Sequence, residues 1–456
     1  MSPIAPAERQ QAYLDDLKTL LSIPSVSTDP SRAGEVRRCA EEVARQMREA
    51  GLNDVAVMET EGHPSVFGQF LVDPALPTAL IYGHYDVQPE DPIELWTSPP
   101  FEPTERDGKI YARGATDDKG QFLCHIKAVA TLLQDTGSLP INVKVLIEGE
   151  EEIGSPNLAP LLQANKELLA ADVLVVSDSA MYAPGQPSIV YGLRGLSFIQ
   201  IDLKASDSDL HSGVFGGAVP NPAMELARIL AGLKDASERV TVPGFYDDVL
   251  DLTAEERQAY AALDFDNEAF RAGLNVAGLA GEEGYSVLEQ RTARPTLEVN
   301  GMLSGYTGPG SKTVLPARAM AKISCRLVPN QDPKKITELL EKHVRALCSP
   351  NVECTITSRA GGHPWITAPD HPVLEAAAEA VRAVYGKDPV RVREGGSIPI
   401  VLDFQNILGL PGILLGFGLN DENLHAPDEH FRIENFHKGV ELSAALLKAL
   451  ATTKKG

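Results

Sequence analysis

Three short runs constrain this chain more than any other feature: TALIYGHYDV, INVKVLIEGE and ADVLVVSDS. Each packs Val, Ile and Leu into a few positions, then breaks off into His, Asp, Glu or Ser. Segments with helical spacing separate them. Continuous apolar runs mark strands buried on both faces, which belong to mainly parallel sheets covered by helices. The first 190 residues or so therefore read as an α/β unit, a mainly parallel sheet flanked by helices. Helical spacing runs from Glu8 to Ile23, stopping at Pro24, and again from Gly34 to Gly51. A glycine suits the left-handed position that ends the second. Ligands of such sheets bind at the carboxyl ends of the strands, and there the polar residues of each run fall.

From about Gly192 the pattern changes. SFIQIDLKAS, PTLEVNGMLSG and ARAMAKISCRLVP alternate apolar and polar residues, as half-buried antiparallel strands do. The helical segments NPAMELARILAGL and DPKKITELLEKHVRAL lie among them. This reads as an inserted α+β domain with an antiparallel sheet, over 192–362. A helix from Pro372 to Tyr385 and a buried run, GILLGFG, then return to the first pattern. Residues 1–191 and 363–456 are thus expected to form one domain, and 192–362 a second, inserted one. Two domains also suit a length of 456 residues, more than one core usually serves.

Composition excludes some partners. With 41 basic and 63 acidic residues the net charge is −22, so nucleic acid and anionic membrane surfaces would be repelled. The cysteines, Cys39, Cys124, Cys325, Cys348 and Cys354, are scattered and form no CxxC pair. That argues against a disulfide framework or a thiolate zinc site and for reduced thiols, hence a cytoplasmic home. No basic-then-apolar leader begins the sequence, and no run approaches eighteen apolar residues.

Five places combine a strand end with metal-ligand chemistry. In IYGHYDVQP, His84 and Asp86 stand two apart and so face one side of a strand. Asp86 can then orient a metal-binding His84, although a buried His–Asp hydrogen bond leaves the same trace. In GRGATDDKGQ, Asp117 and Asp118 repel each other unless a cation or backbone donors compensate, yet a plain Gly/Asp turn reads alike. In IEGEEEIGS, Glu150, Glu151 and Glu152 follow a buried strand, where three charges need a positive partner or solvent. VLVVSDS delivers Asp178, and ENLHAPDEH delivers His425 after GILLGFG. Taken together, carboxylates and imidazoles without thiolates suit zinc foremost, with manganese or cobalt as alternatives. Two metals about 3.5–4 Å apart, with a bridging carboxylate, form a known hydrolytic arrangement. A remaining glutamate can act as general base.

The ensemble GHYDVQP, GRGATDDKGQ, EGEEEIGS, VVSDS, LHSG, SKTVLP, CRLVP, EGGSIP and NLHAPDE resembles the co-catalytic zinc peptidase family that includes aminoacylase, glutamate carboxypeptidase and carnosinase. The match runs from about residue 10 to the C-terminus, and LHSG, CRLVP and EGGSIP point to the carnosinase-like cytosolic dipeptidase branch. The resemblance implies one zinc on His84 and Asp178, a second on Glu152 and His425, and Asp117 bridging them across a cis Asp117–Asp118 bond. It implies Asp86 as support for His84 and Glu151 as the general base. It makes 1–191 and 363–456 the catalytic metal-binding domain and 192–362 a lid or dimerisation domain, and His211 would stabilise the oxyanion from the other subunit of a homodimer, completing the site in trans. Thr313, Arg326 and Ser397 would hold the substrate, with His425 beside it and Arg326 clamping a free carboxylate through its bidentate fork. Glu150 stands where relatives often carry an apolar residue, while the Glu-Glu-x-Gly-Ser anchor favours Glu151 as base and Glu152 as ligand. The expected activity is hydrolysis of dipeptides or small peptides with a free C-terminal carboxylate. An N-acyl-amino-acid deacylase or carbamoyl amidohydrolase would use the same metals, and a non-catalytic metal- or peptide-binding relic would keep only the fold.

Overall fold

The structure, a computed structural model, describes residues 6–396 and 399–453. The chain forms two compact units, one of Met1–Tyr191, Thr367–Val392 and Ile400–Gly456, the other of Gly192–Ile366 and Arg393–Pro399. The return to the first unit thus falls at Thr367, not at residue 363, and Arg393–Pro399 groups with the second unit. Local bonding accounts for the latter: the Arg194 amide and Nε donate to the carbonyls of Gly396 and Gly395, at 3.3 and 3.1 Å.

In the first unit the sheet runs Asn53–Met58, Ser65–Phe70, Asn142–Glu148, Thr78–His84, Val173–Val176, Gly412–Leu414 and Ser188–Leu193. Its four middle strands, Asn142–Glu148 to Gly412–Leu414, are parallel, and the strands on either side pair antiparallel. The sheet is therefore mixed, with the expected parallel order confined to its centre. Every residue of Thr78–His84, Asn142–Glu148 and Val173–Val176 is buried, which is why these runs carry Val, Ile and Leu without alternation. The helix Ala33–Glu49 buries Val36, Cys39, Ala40, Val43 and Met47, a stripe of helical period, and Gly51 beyond it has φ +92°. The helix Lys119–Thr136 is buried along most of its length. It lies so close to Thr78–His84 that a Cβ on Gly83 would sit 2.5 Å from that of Phe122. Glycine before His84 thus permits the contact that fixes helix to strand at the site.

The second unit carries a four-stranded antiparallel sheet ordered Thr296–Ser304, Arg318–Leu327, Gly195–Lys204 and Glu353–Gly362. Strict alternation of burial along Gly195–Lys204 and Arg318–Leu327 puts Ile199, Ile201, Leu203, Ala321, Ile323 and Cys325 on one face. The helices Pro222–Ala231 and Pro333–Leu347 pack there through Leu226, Ile229, Ile336, Leu340 and Val344. Asn221 and Asp332 cap them, each with Pro at the first turn. Three further short helices, Ala254–Ala261, Asn267–Gly273 and Val287–Thr292, were not legible as periodic segments. Among the described residues no helix is long and apolar enough to cross a membrane.

Candidate metal centre and active site

The parallel strands deliver the site. Thr78–His84 ends on His84 itself, and Asn142–Glu148 leads into a 3₁₀ turn, Glu151–Ile153. Val173–Val176 runs on to Asp178, and Gly412–Leu414 is followed by the loop carrying His425, which stands at φ +58°. Asp117 immediately precedes the helix Lys119–Thr136, and its bond to Asp118 is cis. His84, Asp117 and Glu152 offer ligand atoms that all lie within 4.8 Å of one another.

Asp117 is the hub. Its Oδ1 is 3.1 Å from His84 Nε2 and its Oδ2 is 2.9 Å from His425 Nε2. Asp178 Oδ2 lies 3.9 Å from the same His84 nitrogen, and Glu152 Oε2 3.5 Å from that of His425. Two groups emerge, His84 with Asp178 and His425 with Glu152, each facing its own oxygen of Asp117. The donors are oxygens and imidazole nitrogens, a set that fits divalent zinc, manganese or cobalt.

The titrations follow from this crowding. Against the upward pull of burial, hydrogen bonds with His425 and His84 hold Asp117 well below the usual carboxylate range. His84, although buried, is held well above its ordinary value by Asp117 and Asp86. The hydrogen bond to Asp117 raises His425 to about 9. Burial, reinforced by Asp178, Glu152 and Asp117, pushes Glu151 up to about 8. Burial and Asp117 push Glu152 up to about 7. Carboxylates crowded against two imidazoles need further positive charge, which divalent metal ions would supply.

Asp86 does more than face His84. His84 Nδ1 lies 3.1 Å from the Asp86 backbone carbonyl oxygen and 3.4 Å from its carboxylate Oδ1. That carboxylate also accepts from the amides of Glu151 (3.2 Å) and Glu152 (3.1 Å), tying the glutamate turn to the histidine strand. Gln88 Nε2 donates to Glu152 Oε2 at 2.7 Å. Glu150 turns away, accepting from the His63 amide (2.9 Å) and Asn157 Nδ2 (2.9 Å). That leaves Glu151 and Glu152 as the members of the triple at the cluster.

The sequence reading passed over Glu429. Buried completely, it accepts from Arg113 Nη1 (2.7 Å) and from the amides of Gly114, Thr116 and Asp117 at 2.9, 3.1 and 3.2 Å. One carboxylate thus fixes the loop that presents Asp117. Its position four residues after His425, in ENLHAPDEH, was the available signal.

The remaining candidates lie in the second unit. His211 pairs with Val314 across a short two-stranded ribbon, and the Ser212 amide donates to the Thr313 carbonyl at 3.1 Å, so His211 and Thr313 are neighbours. Both are exposed, and His211 Nδ1 accepts from the Gly213 amide at 3.0 Å. Arg326 is half-buried on Arg318–Leu327. Ser397 lies outside the described residues.

A mixed α/β unit with imidazoles and carboxylates gathered at its parallel strand ends, joined to an antiparallel α+β unit, defines a metal-dependent hydrolase. Residues 80–449 match the model of "Peptidase family M20/M25/M40". The human Beta-Ala-His dipeptidase is 35% identical over 85% of this chain and 78% of its own. The Cys-Gly metallodipeptidase of Schizosaccharomyces pombe is 32% identical over 98% and 97%. Among solved structures, an M20 family metallo-carboxypeptidase from Sulfolobus solfataricus superposes with a TM-score of 0.81 at 36% identity, covering 97% of this chain and 99% of that one. The chain belongs to peptidase family M20/M25/M40.

Proposed function

We propose that this protein is a dinuclear zinc dipeptidase that hydrolyses the peptide bond of dipeptides or small peptides bearing a free C-terminal carboxylate. The observation that carries the reading is Asp117, whose two oxygens each face a different imidazole, at 3.1 and 2.9 Å. His84 and Asp178 would hold one ion, Glu152 and His425 the other, with Asp117 shared. The ions, when bound, would supply Lewis-acid polarisation of the scissile carbonyl and acidify a water. Asp86 positions His84 and the glutamate turn. Glu151, whose carboxyl burial pushes up to about 8, accepts the proton of the attacking water and passes it to the leaving amine. His211 donates to the developing oxyanion, and Thr313, Arg326, Ser397 and His425 hold the substrate, Arg326 through its C-terminal carboxylate. Relatives named as dipeptidases at 35% and 32% identity, and a relative named as a metallo-carboxypeptidase, support this substrate class.

We also infer a homodimer with each site completed in trans by His211. The edge strand Thr296–Ser304 has Val299, Met302 and Leu303 exposed beside an unpaired backbone edge, a surface that monomers usually protect. Five cysteines without a disulfide agree with a cytoplasmic setting. The test is a panel of dipeptides and N-acetyl amino acids, assayed with zinc, manganese or cobalt. Free amino acids should appear from the dipeptides. Acetate release without dipeptide cleavage would establish a deacylase instead.

A further inference from the structure

Within the second unit a cavity of about 560 Å³ is lined by Arg194, Arg291 and Arg326. In a chain of net charge −22, three guanidinium groups around one cavity are unexpected. Arginines on protein surfaces normally find carboxylates, and this chain offers them freely. Yet among the described residues the guanidinium groups of Arg326 and Arg291 form no hydrogen bond or ion pair, although that of Arg291 lies over the Phe270 ring at 4.7 Å. Arg194 donates Nε to the Gly395 carbonyl, and its buried Nη1 has no partner.

The carboxylates that share the lining are already engaged. Glu282 is held by Arg294, at 2.9 Å through two nitrogens, and by Arg239 at 2.8 Å. Glu238 and Glu298 both face Lys234, each at 3.3 Å. Glu298 still acts on Arg194 and Glu394 on Arg291, but among the described residues neither carboxylate is hydrogen-bonded to these guanidinium groups, which keep free donors. Burial, together with the charges of Arg326 and Arg291, brings Arg194 down to about 10, as mutual repulsion requires.

Position reinforces chemistry. Arg326 stands opposite Leu196 and Thr296 in the sheet. Arg194, just before the strand Gly195–Lys204 begins, lines the same cavity as Arg326. Gly395 ties Arg194 to Arg291: a Cβ there would lie 2.6 Å from the Arg291 carbonyl and 2.8 Å from Arg194 Nη2. Only glycine lets the EGG segment approach both.

We propose that Arg194 and Arg291 form, with Arg326, a subsite for two carboxylates, which makes peptides ending in Glu or Asp the favoured substrates. This rests on the reading of Arg326 as the clamp for the C-terminal carboxylate. One carboxylate takes Arg326, and the side-chain carboxylate takes the other two. A neutral isostere such as a C-terminal Gln would leave them without a counter-charge.

The test compares Ala-Glu with Ala-Gln, and Ala-Asp with Ala-Asn, in the metal-loaded enzyme. Charge-assisted hydrogen bonds should favour each acid in kcat/KM by about 10- to 100-fold. Arg291→Gln, an exposed position, should bring the acid-to-amide ratio toward one, mainly through KM for the acid. Arg194→Gln should do the same. A wild-type ratio of one or below, or ratios unmoved in both variants, overturns the subsite while cleavage of Ala-Gln leaves the dipeptidase reading intact. Should neither peptide be cleaved, calorimetry decides with the products alone. L-glutamate binding at least 10-fold tighter than L-glutamine, lost in Arg291→Gln, supports the subsite, and equal binding refutes it.

Discussion

Replacing Glu429 should damage both the fold around Asp117 and the ability to keep metal, though no ligand is touched. Glu429 and Arg113 are 0% and 1% exposed, so Glu429→Ala leaves an uncompensated buried cation. Arg113 would retain one acceptor, the Pro89 carbonyl at 3.0 Å, while its Nε already has none. Breaking such a pair costs about 3–5 kcal/mol. The amides of Gly114, Thr116 and Asp117 also lose their acceptor, at about 1–3 kcal/mol for each that stays dry. Four heavy atoms leave with the side chain, however, and water entering the polar space would recover part of that loss. The net expectation is roughly 3–6 kcal/mol, concentrated in one loop. Metal affinity should fall by about 10- to 100-fold, as when outer supports of ligands are removed.

A chain of two units need not unfold in one step, so a local probe is required. Native-state hydrogen exchange of the segment 112–118 supplies it, alongside metal content after dialysis. Arg113→Met with Glu429→Gln serves as the control, because it leaves neither charge and returns an acceptor to part of the loop. It should be less damaging than Glu429→Ala. Exchange at 112–118 and metal retention both unchanged in Glu429→Ala would refute the reasoning.

Asp117→Ala should strip both metals, since its oxygens face both histidines; two tightly held ions per chain after dialysis would remove it from the bridge. Glu151→Gln keeps the shape without accepting a proton, so metal content should hold while turnover falls by about 10²–10⁴-fold; loss of metal instead would make Glu151 a ligand. Dimers mixed from Glu151→Ala and His211→Ala chains should recover about a quarter of wild-type activity if His211 works in trans, since about half the dimers are mixed and one of their two sites is intact; verified mixed dimers without activity would exclude that arrangement. His125, buried and lowered from 6.5 to about 3, stays neutral in the fold while the unfolded chain takes up a proton below 6.5. Its contribution is therefore complete above pH 6.5 and is lost as pH falls toward 3, at up to about 1.4 kcal/mol per pH unit. His125→Asn should flatten the stability profile across that window by one proton, and an unchanged slope would show that His125 already titrates normally.

The parallel core was legible because burial on both faces leaves a local signature: Leu80, Ile81 and Tyr82, or Val173 to Val176, need no partner to be recognised. The antiparallel strands of the second unit were legible for the complementary reason, since Ile199, Ile201 and Leu203 alternate with half-exposed positions. Less was visible where neither period applies. The strands Asn53–Met58 and Ser65–Phe70 mix glycine and polar residues, and only their antiparallel pairing to each other and to Asn142–Glu148 defines them. Glu353–Gly362 is an edge strand with mostly polar or small residues, read as no element until it pairs with Gly195–Lys204.

The site divides along the same line. His84, Asp117, Glu152, Asp178 and His425 each end or follow an element, so their chemistry could be read from a few neighbouring letters. Of their supports, only Asp86 beside His84 could be read that way. Glu429 reaches Arg113 across 316 positions, and Asp86 reaches the glutamate turn across 65. Neither spacing has a period to betray it. Glu150 illustrates the converse. It is as acidic as its neighbours and adjacent to them, yet Asn157 and the His63 amide turn it away. The Glu-Glu-x-Gly-Ser anchor favoured Glu151 and Glu152, and hydrogen bonds to residues 7 and 87 positions away show what occupies Glu150 instead. The arginines around the cavity of the second unit follow the same logic with the sign reversed. The resemblance marked Arg326, but Arg194 and Arg291 become informative only once they are seen to share its cavity without a hydrogen-bonded carboxylate. A residue's own type names its possible chemistry, and the partners it lacks show which chemistry is left for a ligand.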